Sequence, residues 1–403
     1  MNLALRITAR LSDIPADAWD NLVKKSHGGV LHPALRHAFL SAMEDSADVG
    51  ERTGWVPRHL CLHDADDTLI AAAPAYLKYH SYGEYVFDWA WADAYQRNQL
   101  EYYPKLLTAI PFTPVFGNRL LAQNDESRAF LLQAIMQTLK QASTDSSIFG
   151  ERISSWHGLF LDEATLPDMG KTELLKRDTV QFHWRNTGAQ PYDSFDAFLA
   201  TLTQKKRKNI LAERRKVAQA GIVVRPVTGH EISAEQLDFF YRCYANTYRE
   251  HRSLPYLSPD FFKAVISRMP QQLVFFFAER LTSADAQPVA ASLCLQSDTT
   301  LYGRYWGAME HVPCLHFETA YYAPLQWAIG QKLQCFEGGA QGEHKMSRGF
   351  MPVPASSRHW LAHPAFADAI ERYLQRESAG MANYLNELES HPPFRHVSDR
   401  VTE

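Results

Sequence analysis

The sequence has few cysteines and no sign of a disulfide framework. Its five cysteines are scattered, and no two of them form a C-x-x-C pair. An odd, scattered set of thiols is typical of a reducing compartment rather than of a disulfide-stabilised secreted protein. We therefore expect a cytoplasmic protein.

Long apolar runs, targeting segments and low-complexity stretches are also absent. No run of 18 or more apolar residues occurs, so the sequence predicts no membrane span. Residues 1–13 contain Arg6 and Arg10 and lack a long apolar core, so they do not resemble a signal peptide. The phosphate-binding pattern GxxxxGK[ST] is missing as well, which argues against a P-loop enzyme.

What is present is a long chain of ordinary globular composition. It has 403 residues, of which 46% are hydrophobic and 12% aromatic, and its formal net charge is −4. This length corresponds to about two to three domains. A net charge this close to zero does not demand a nucleic-acid partner, and it leaves the oligomeric state open.

The most informative positive feature is a pattern that occurs twice, about 219 residues apart. Tyr82–Tyr85 (YGEY) matches Tyr302–Tyr305 (YGRY), and each is followed by a Tyr-Tyr pair, at Tyr102-Tyr103 and at Tyr321-Tyr322. Solenoid repeats have periods of about 20–50 residues, so this longer period indicates a duplicated domain. Two related domains commonly form a cleft, and clefts between domains are favoured ligand sites.

Each copy predicts the same order of elements: helices, an antiparallel hairpin, a strand with the Tyr-Gly-x-Tyr pattern, a helix with the Tyr-Tyr pair, and a glycine-containing loop. This is the order of the GNAT acyltransferase fold. The predicted helices are at 16–24, 37–44, 234–249 and 259–268, and the predicted hairpin strands are at 59–63, 69–79, 273–280 and 289–296. Ser258 and Pro259 are expected to start the helix at 259–268.

The sequence divides into three predicted segments. Residues 1–150 form a first GNAT-like domain, residues 151–221 a bridge, and residues 222–403 a second GNAT-like domain with C-terminal helices. The bridge is expected to contain a strand at 178–185 and a basic helix at 194–220 that Gly221 ends. One or two further helices are expected at 364–389.

Five blocks carry a resemblance to a known family. They are GEYVFDWAWADAY (Gly83–Tyr95), the block Tyr102–Leu121, LYGRYWG (Leu301–Gly307), LHFETAYY (Leu315–Tyr322) and GGAQGEHKMSRGFMPV (Gly338–Val353). Together they resemble the FemAB-like predicted N-acyltransferases, a family labelled peptidoglycan biosynthesis or recognition. The resemblance covers nearly the whole chain. It implies an α/β (α+β) fold of tandem duplicated GNAT-like acyltransferase domains, with mixed sheets flanked by helices, and transfer of an acyl or aminoacyl group to an amine.

The glycine-rich block of the second copy is the first candidate site. Its glycines, including Gly342, allow the backbone to approach a ligand closely and to present N–H groups to an anion. Lys345 and Arg348 could hold a phosphate or a developing oxyanion, and His344 could accept a proton from an amine. The alternative is a surface loop with solvated charges.

The second candidate segment is Asp88–Tyr95, in which aromatic and small residues alternate. As a strand, it would place Trp89 and Trp91 on one face and Asp88 on the other. A carboxylate beside aromatic walls can act as a base or anchor a substrate amine, so Asp88 is a catalytic candidate. Trp91, Asp93 and Tyr95 are substrate-binding candidates. Core tryptophans with capping aspartates are the structural alternative.

Three further charged residues are candidates. The pair His316–Glu318 lacks the following P-C-x-x-C of zinc deaminases, so we expect no metal there. Glu318 could instead be a base, an amine anchor or a helix-dipole partner. Glu84 and Arg304 occupy matched positions with opposite charges, and they either pair with each other, serve separate pockets or are plain strand residues.

The basic helix contains the charge run Lys205–Lys216. A charge run can be a solvated face, or it can form a positive wall over a phosphate-bearing substrate such as a nucleotide, coenzyme A, a lipid diphosphate or tRNA. Fem-type enzymes resemble this chain in having a basic helix between their domains. Lys206 and Arg207 are the candidates for such contacts.

The combined hypothesis is an N-acyltransferase with no permanently bound cofactor. Acyl-CoA or aminoacyl-tRNA would be the cosubstrate, and a small-molecule or peptide amine the acceptor. Neither Cys314 nor Cys335 has clear His and Asn partners, so direct attack by the amine is expected rather than a covalent enzyme intermediate. The rival hypothesis is a non-catalytic module that binds a peptidoglycan precursor or a peptide.

Overall fold

The computed structural model describes residues 3–162, 166, 173–188, 191–281, 286–340 and 342–395. Gln341 and most of the predicted loop at 282–287 lie outside the described residues. The chain forms two compact units, Met1–Val180 with Pro354–Tyr384, and Gln181–Val353 with Leu385–Glu403. Both units are discontinuous, and the first runs across residue 150 whereas the second runs across residue 221. The three-segment division stays a prediction.

Strands and helices are numbered in chain order. The strands are β1 (Ala4–Thr8), β2 (Trp55–Pro57), β3 (His59–His63), β4 (Leu69–Ala73), β5 (Ala75–Lys78), β6 (Lys105–Thr108), β7 (Leu121–Ala122), β8 (Ser155–Leu161), β9 (Leu175–Arg185), β10 (Ile222–Thr228), β11 (Leu273–Leu281), β12 (Ala286–Gln296), β13 (Thr300–Ala308), β14 (Cys335–Ala340) and β15 (Met351–Leu361). The helices are α1 (Ala16–Ser26), α2 (His37–Asp45), α3 (Trp89–Arg97), α4 (Asp125–Ala142), α5 (Phe195–Thr201), α6 (Gln204–Gln219), α7 (Ala234–Glu250), α8 (Pro259–Arg268), α9 (Leu315–Phe317), α10 (Ala323–Gly330) and α11 (Pro364–Ser390).

The first unit contains two groups of paired strands. One sheet has the order β1-β3-β4-β7 and is antiparallel throughout. The other has the order β15-β8-β6-β5-β2, in which only the described pair β6/β8 is parallel. Apolar side chains from strands of both sheets share one buried cluster with α4, whose Leu131, Ile135 and Leu139 are fully buried.

The second unit has one sheet of the order β10-β11-β12-β13-β14-β9. The described strands from β10 to β13 form an antiparallel meander, β13 and β14 are parallel, and β9 returns antiparallel to β14. Phe275 and Phe277 of β11 pack with aromatic side chains of α7. Both units therefore follow an antiparallel meander with a parallel strand pair and then one antiparallel strand, as expected for duplicated domains.

The predicted residue-by-residue match between the two copies is wrong, although the duplication itself is visible in the strand order of the two units. Tyr302–Tyr305 lies in β13 as predicted, but Tyr82–Tyr85 forms a turn in which Gly83 has a left-handed backbone (φ 82°). Tyr102-Tyr103 precedes β6 instead of lying in a helix. By topology, the counterpart of β13 is β6, because each begins the parallel pair. A short Tyr-Gly-x-Tyr pattern is compatible with a turn as well as with a strand. It therefore does not show that two segments occupy equivalent positions in the two units.

Helix ends with strong local signals were predicted well. Ser258 accepts a hydrogen bond from the amide of Phe261 and Pro259 opens α8, as expected. Gly221 follows α6 with φ 73°, which confirms the predicted helix end. The predicted single helix at 194–220 is wrong, because Leu202 has an extended backbone, forms a bridge with Phe394 and separates α5 from α6. The C-terminal segment is one helix, α11.

The predicted strand at Asp88–Tyr95 is also wrong, because this segment forms α3. Successive residues of a helix turn by about 100°, so residues two apart point in nearly opposite directions. Trp91 is accordingly buried, whereas Trp89 is exposed. Trp91 and Tyr95 pack with Tyr102 and with Ile370 of α11 in a separate apolar cluster of the first unit.

Candidate functional site

The glycine-rich segment of the second unit leads into a short 3-10 helix, Glu343–Arg348, that buries a lysine. Gly342 before this helix has a left-handed backbone (φ 105°). Lys345 is 3% exposed, and its ammonium donates a hydrogen bond to the carbonyl of Gly339 at 3.0 Å. Burial lowers the pKa of Lys345 to about 8. The alternative of a solvated surface lysine is therefore wrong for Lys345, which is a buried amine that titrates near neutral pH.

Arg348, at the end of the same 3-10 helix, is held by internal contacts. Its NH2 group donates to both carboxylate oxygens of Glu213 on α6, at 3.1 and 2.9 Å. Its NH1 group donates to the carbonyl of His344 at 2.7 Å, and the guanidinium lies 3.5 Å from the centroid of the Phe317 ring. These contacts fix the 3-10 helix against α6 and Phe317.

Arg214, the next residue of α6, forms a second ion pair with the predicted base Glu318. Its Nε donates to both oxygens of Glu318, at 3.1 and 3.0 Å, and its NH2 donates to Oε1 at 2.9 Å. Glu318 begins the π-helical turn Glu318–Tyr322, and the Tyr322 hydroxyl donates to Glu213. The carboxylate of Glu318 thus anchors α6 in this structure, and its role as a base stays a prediction.

His344 has the properties of a proton acceptor. It is largely exposed, and its Nε2 lies 3.4 Å from the hydroxyl of Tyr321. Partial burial, together with the positive charges of Arg348 and Lys345, lowers the pKa of His344. The imidazole is therefore neutral at pH 7 and can take up a proton.

The strands that lead to this cluster are paired over only a short stretch. In the parallel pair β13/β14, Thr300–Tyr302 faces Cys335–Glu337. Beyond these residues β13 continues to Ala308 and β14 to Ala340, although no further pairing between them occurs in the described part of the chain. Facing strand edges of this kind offer main-chain hydrogen bonds to an extended ligand.

The basic helix contributes one fixed lysine to the same region. Lys206 donates to the hydroxyl of Ser347 at 2.9 Å, near the end of the 3-10 helix. Arg207 is half-buried. Lys205 and Lys208 are exposed. The structure therefore places Lys206 against the 3-10 helix that carries Lys345, and it leaves exposed positive charges on the same helix as Lys206.

A second cluster of predicted residues lies in the first unit and surrounds a lysine that the sequence analysis missed. Lys105 is fully buried and donates to Glu84 at 2.8 Å, to the hydroxyl of Ser81 at 3.0 Å and to Asp88. Burial raises the pKa of Glu84 to about 7. Burial acts in the same direction on Asp88, but the charge of Lys105 outweighs it and holds the pKa of Asp88 well below its ordinary value.

A second buried lysine lies opposite the first. Lys78 of β5 is the register partner of Lys105 in β6, and its Nζ is 4.0 Å from Oε1 of Glu84. It also lies 3.9 Å from the centroid of the Trp55 ring. Burial lowers the pKa of Lys78 to about 6, so this side chain is uncharged at neutral pH. That avoids two like charges facing each other across the strands.

Hydrogen bonds continue from Asp88 to two buried histidines. The Tyr102 hydroxyl donates to Asp88 at 2.6 Å and lies 3.1 Å from Nε2 of His157. Nδ1 of His157 is 2.6 Å from Nδ1 of His359. Burial lowers the pKa of His157 to about 3 and that of His359 well below its ordinary value, so both rings are neutral. Asp88 is thus embedded in a buried polar network.

The other predicted residues have varied surroundings. Asp93 is exposed and forms an ion pair with Arg97 at 2.6 Å, as in an ordinary helix i,i+4 pair. Tyr95 is buried in the apolar cluster described above. The guanidinium of Arg304 lies 4.9 Å from the ring centroid of Tyr305. Glu84 forms its ion pair with Lys105. These contacts favour the alternative in which Glu84 and Arg304 have separate surroundings over the one in which they pair with each other.

The missed residues had signals of unequal strength. Lys105 stands at the start of an apolar strand sequence, KLLTAI, where a charged residue is unusual unless it is paired. Glu213 and Arg214 were hidden in a charge run. The buried Ile210 and Val217 of α6 show, by helical periodicity, that Glu213 and Arg214 lie on the inward side. In the described residues, no group of three or more His, Cys, Asp or Glu side chains could hold a metal ion.

Comparison with known protein families identifies the family to which the chain belongs. The family FemAB-like, described as peptidoglycan biosynthesis/recognition, matches residues 10–396. The chain belongs to the FemAB-like family. Comparison with curated protein sequences gave no match.

The chain is also similar to solved structures at low sequence identity, and the first of these shows the fold. The crystal structure of FemX is 10% identical, with 92% of this chain and 100% of that chain covered and a TM-score of 0.54. A tandem GNAT protein from the clavulanic acid biosynthesis pathway is 10% identical, with coverages of 90% and 99% and a TM-score of 0.46. L-PGS from Bacillus licheniformis is 12% identical, with coverages of 83% and 92% and a TM-score of 0.46.

The family match and the likeness to FemX confirm the predicted fold class, α/β with tandem GNAT-like domains. In the part of the chain that the structure describes, no helix combines the length and apolarity needed to cross a membrane.

Proposed function

We propose that this protein transfers an acyl or aminoacyl group from an activated donor to a primary amine. The observation that carries this proposal is the adjacency of His344 and Lys345 on one short helix at the end of a glycine-rich strand. Transfer to an amine needs a proton acceptor and a group that stabilises the tetrahedral oxyanion. A neutral imidazole and a partly charged buried amine supply these two properties side by side. Membership of the FemAB-like family supports the same reaction class.

In the proposed reaction the acceptor amine attacks the carbonyl carbon of the thioester or ester donor. His344 takes the proton that the amine loses as the new C–N bond forms. The ammonium form of Lys345 stabilises the oxyanion. As the carbonyl is restored, the bond to the leaving group breaks and the imidazolium of His344 gives its proton to the leaving thiol or hydroxyl. Acyl-CoA and aminoacyl-tRNA both carry phosphates, for which Lys206 and Arg207 provide positive charge.

Direct attack is supported by the state of the cysteines. Burial raises the pKa of the thiols of Cys61, Cys243, Cys294 and Cys335. The thiolate is the nucleophilic form of cysteine, so these side chains are poorly suited to form an acyl-enzyme. Arg348 is committed to Glu213 and is better regarded as a support for the 3-10 helix than as a donor ligand.

The experiment that tests the proposal is a donor-by-acceptor screen with the full-length protein. Acyl-CoA and aminoacyl-tRNA donors are combined with amine acceptors, including peptides with a free lysine side chain, and products are detected by mass spectrometry. Formation of an amide in at least one combination supports the proposal. Stabilisation by a glycopeptide without turnover of any donor would instead support a binding module.

A further inference from the structure

Two carboxylate oxygens in the first unit lack the hydrogen bonds that burial normally requires. Among the described residues, Oε1 of Glu84 and Oδ1 of Asp88 have no hydrogen-bond partner, although both side chains are more than nine-tenths buried. The amine of Lys78 is 4.0 Å from Glu84 Oε1, which is beyond hydrogen-bonding distance. Buried polar atoms nearly always form hydrogen bonds, so we expect a hydrogen-bond donor for each of these two oxygens.

The charges around these oxygens point to a cationic donor. Lys105 supplies one positive charge between two carboxylates. Lys78 is uncharged at neutral pH, because burial lowers its pKa to about 6, and the two neighbouring histidines are neutral as well. Above the pKa of Glu84, which is about 7, both acids are ionised and the cluster carries one excess negative charge. A phosphate or carboxylate ligand would increase this imbalance, whereas an ammonium group would remove it and bring three N–H donors.

The surface of the same segment is rich in exposed aromatic side chains. Tyr82 is 57% exposed, Phe87 45% and Trp89 41%. The rings of Tyr82 and Trp89 are 4.9 Å apart at their centroids. The main-chain carbonyl of Tyr82 accepts a hydrogen bond from Lys78, which ties this surface to the buried cluster. Aromatic faces attract cations and also pack against the apolar stem of an alkylamine.

We propose that Glu84 and Asp88 form, in the first unit, a binding site for a primary ammonium group on an aliphatic or peptidic stem. Their unbonded oxygens accept hydrogen bonds from the ammonium group, and Tyr82, Phe87 and Trp89 contact the stem. The inference concerns binding within the first unit alone and does not rest on the proposed function. Binding of the amine can be measured without any transfer.

The first test compares an amine with its alcohol counterpart on the full-length wild-type protein. Calorimetric titration uses the Nα-acetyl methylamide of L-lysine and the analogue in which a hydroxyl replaces the side-chain amine. We expect the amine to bind about 10- to 100-fold more tightly, the range for a charged hydrogen bond. Equal affinity of the two probes, or no binding of either, overturns the site.

The second test uses matched variants. Glu84→Gln keeps the shape of the side chain and removes its charge, and it should abolish the preference for the amine. Glu126→Gln removes an exposed carboxylate from α4 in the same unit and should leave the preference unchanged. A Glu84→Gln protein with a wild-type circular dichroism spectrum and wild-type amine affinity refutes the proposal.

A third measurement needs no variant, so it holds even if Glu84→Gln fails to fold. Burial raises the pKa of Glu84 to about 7, and the groups that face it are Lys78, Lys105 and Asp88. A bound ammonium group favours the ionised carboxylate, so binding at pH 7 should release roughly half a proton. Titration in two buffers of different ionisation enthalpy detects this release. Binding without proton release contradicts the site.

The outcomes separate this inference from the proposed function. If the protein binds the amine more tightly than the alcohol but transfers no acyl group, the site is supported and the proposed transferase function is refuted. Acyl transfer by a wild-type protein that binds the amine and alcohol probes equally would support the transferase and refute the site.

Discussion

The ammonium group of Lys345 donates a hydrogen bond to the main-chain carbonyl of Gly339, which ties the 3-10 helix to the end of β14. This bond holds a lysine in a buried position beside a neutral histidine. A lysine that only had to be solvated would gain nothing from this arrangement, because burial of the charged form costs free energy. We therefore regard the position of Lys345 as the central feature of the second unit.

Replacement of this lysine by a residue of similar length should separate function from folding. In Lys345→Met we expect turnover to fall by about 10²–10³, the loss that accompanies removal of one oxyanion donor. The protein should remain folded, since methionine fills the same space without a buried charge. Steady-state kinetics with Lys208→Met, which changes an exposed lysine of α6, provides the control. A folded Lys345→Met protein with full activity would refute the assigned role.

The lowered pKa of Lys345 also predicts how stability depends on pH. The folded-state pKa is about 8, below the ordinary value of 10.5, so the cost of burying the charge is fully present below pH 8. That cost disappears as the pH rises from about 8 to 10.5, because the folded protein loses a proton that the unfolded chain retains. The shift corresponds to about 3 kcal/mol. Urea unfolding should show the wild type gaining this stability relative to Lys345→Met across that range, and parallel curves would contradict the shift.

The ion pair between Glu213 and Arg348 should be energetically coupled. We expect a double-mutant cycle with Glu213→Gln and Arg348→Met to give a coupling energy of about 1–3 kcal/mol, because Arg348 is buried and makes two bonds to the carboxylate. A parallel cycle at the exposed pair Asp260–Lys263 should give a coupling too small to resolve. Equal coupling in the two cycles would show that Glu213 is not a structural anchor.

Lys206 and Arg207, two half-buried basic residues near the start of α6, should contribute to donor binding. Lys206→Ala with Arg207→Ala should weaken the affinity for coenzyme A or tRNA and flatten its dependence on salt, since such charge contacts are screened over about 10 Å at 0.1 M. Arg215→Ala with Lys216→Ala, farther along the same helix, is the control pair. Unchanged affinity of the first double variant at low salt would make this helix an ordinary solvated face.

Sequence alone predicted the fold class and part of the cluster around Lys345, because the relevant signals are local. Ser258 and Pro259 indicate a helix start within three residues, and the block from Gly338 to Val353 contains His344 and Lys345 side by side. The cluster around Lys105 is different. Lys78 and Lys105 become neighbours only through the pairing of β5 with β6, and no local pattern reports that register.

The sequence repeat shows the opposite case, because its two matching segments do not have the same structure. Tyr82–Tyr85 and Tyr302–Tyr305 share glycine and tyrosine, but Gly83 has a left-handed backbone in a turn whereas Gly303 lies in β13. The two segments therefore serve different purposes in their units. The duplication is visible in the order and direction of the strands, which sequence spacing predicts only in outline.

Single-turnover transfer of a labelled acyl group tests the central claim most directly. The full-length protein is mixed with the radiolabelled donor found in the screen, first without and then with the acceptor amine, and the label on protein and amine is followed over time. Direct attack predicts no label on the protein in either case and rapid appearance of labelled amide when the amine is added. Label that accumulates on the protein before the amine is added, and then moves to it, would contradict the account.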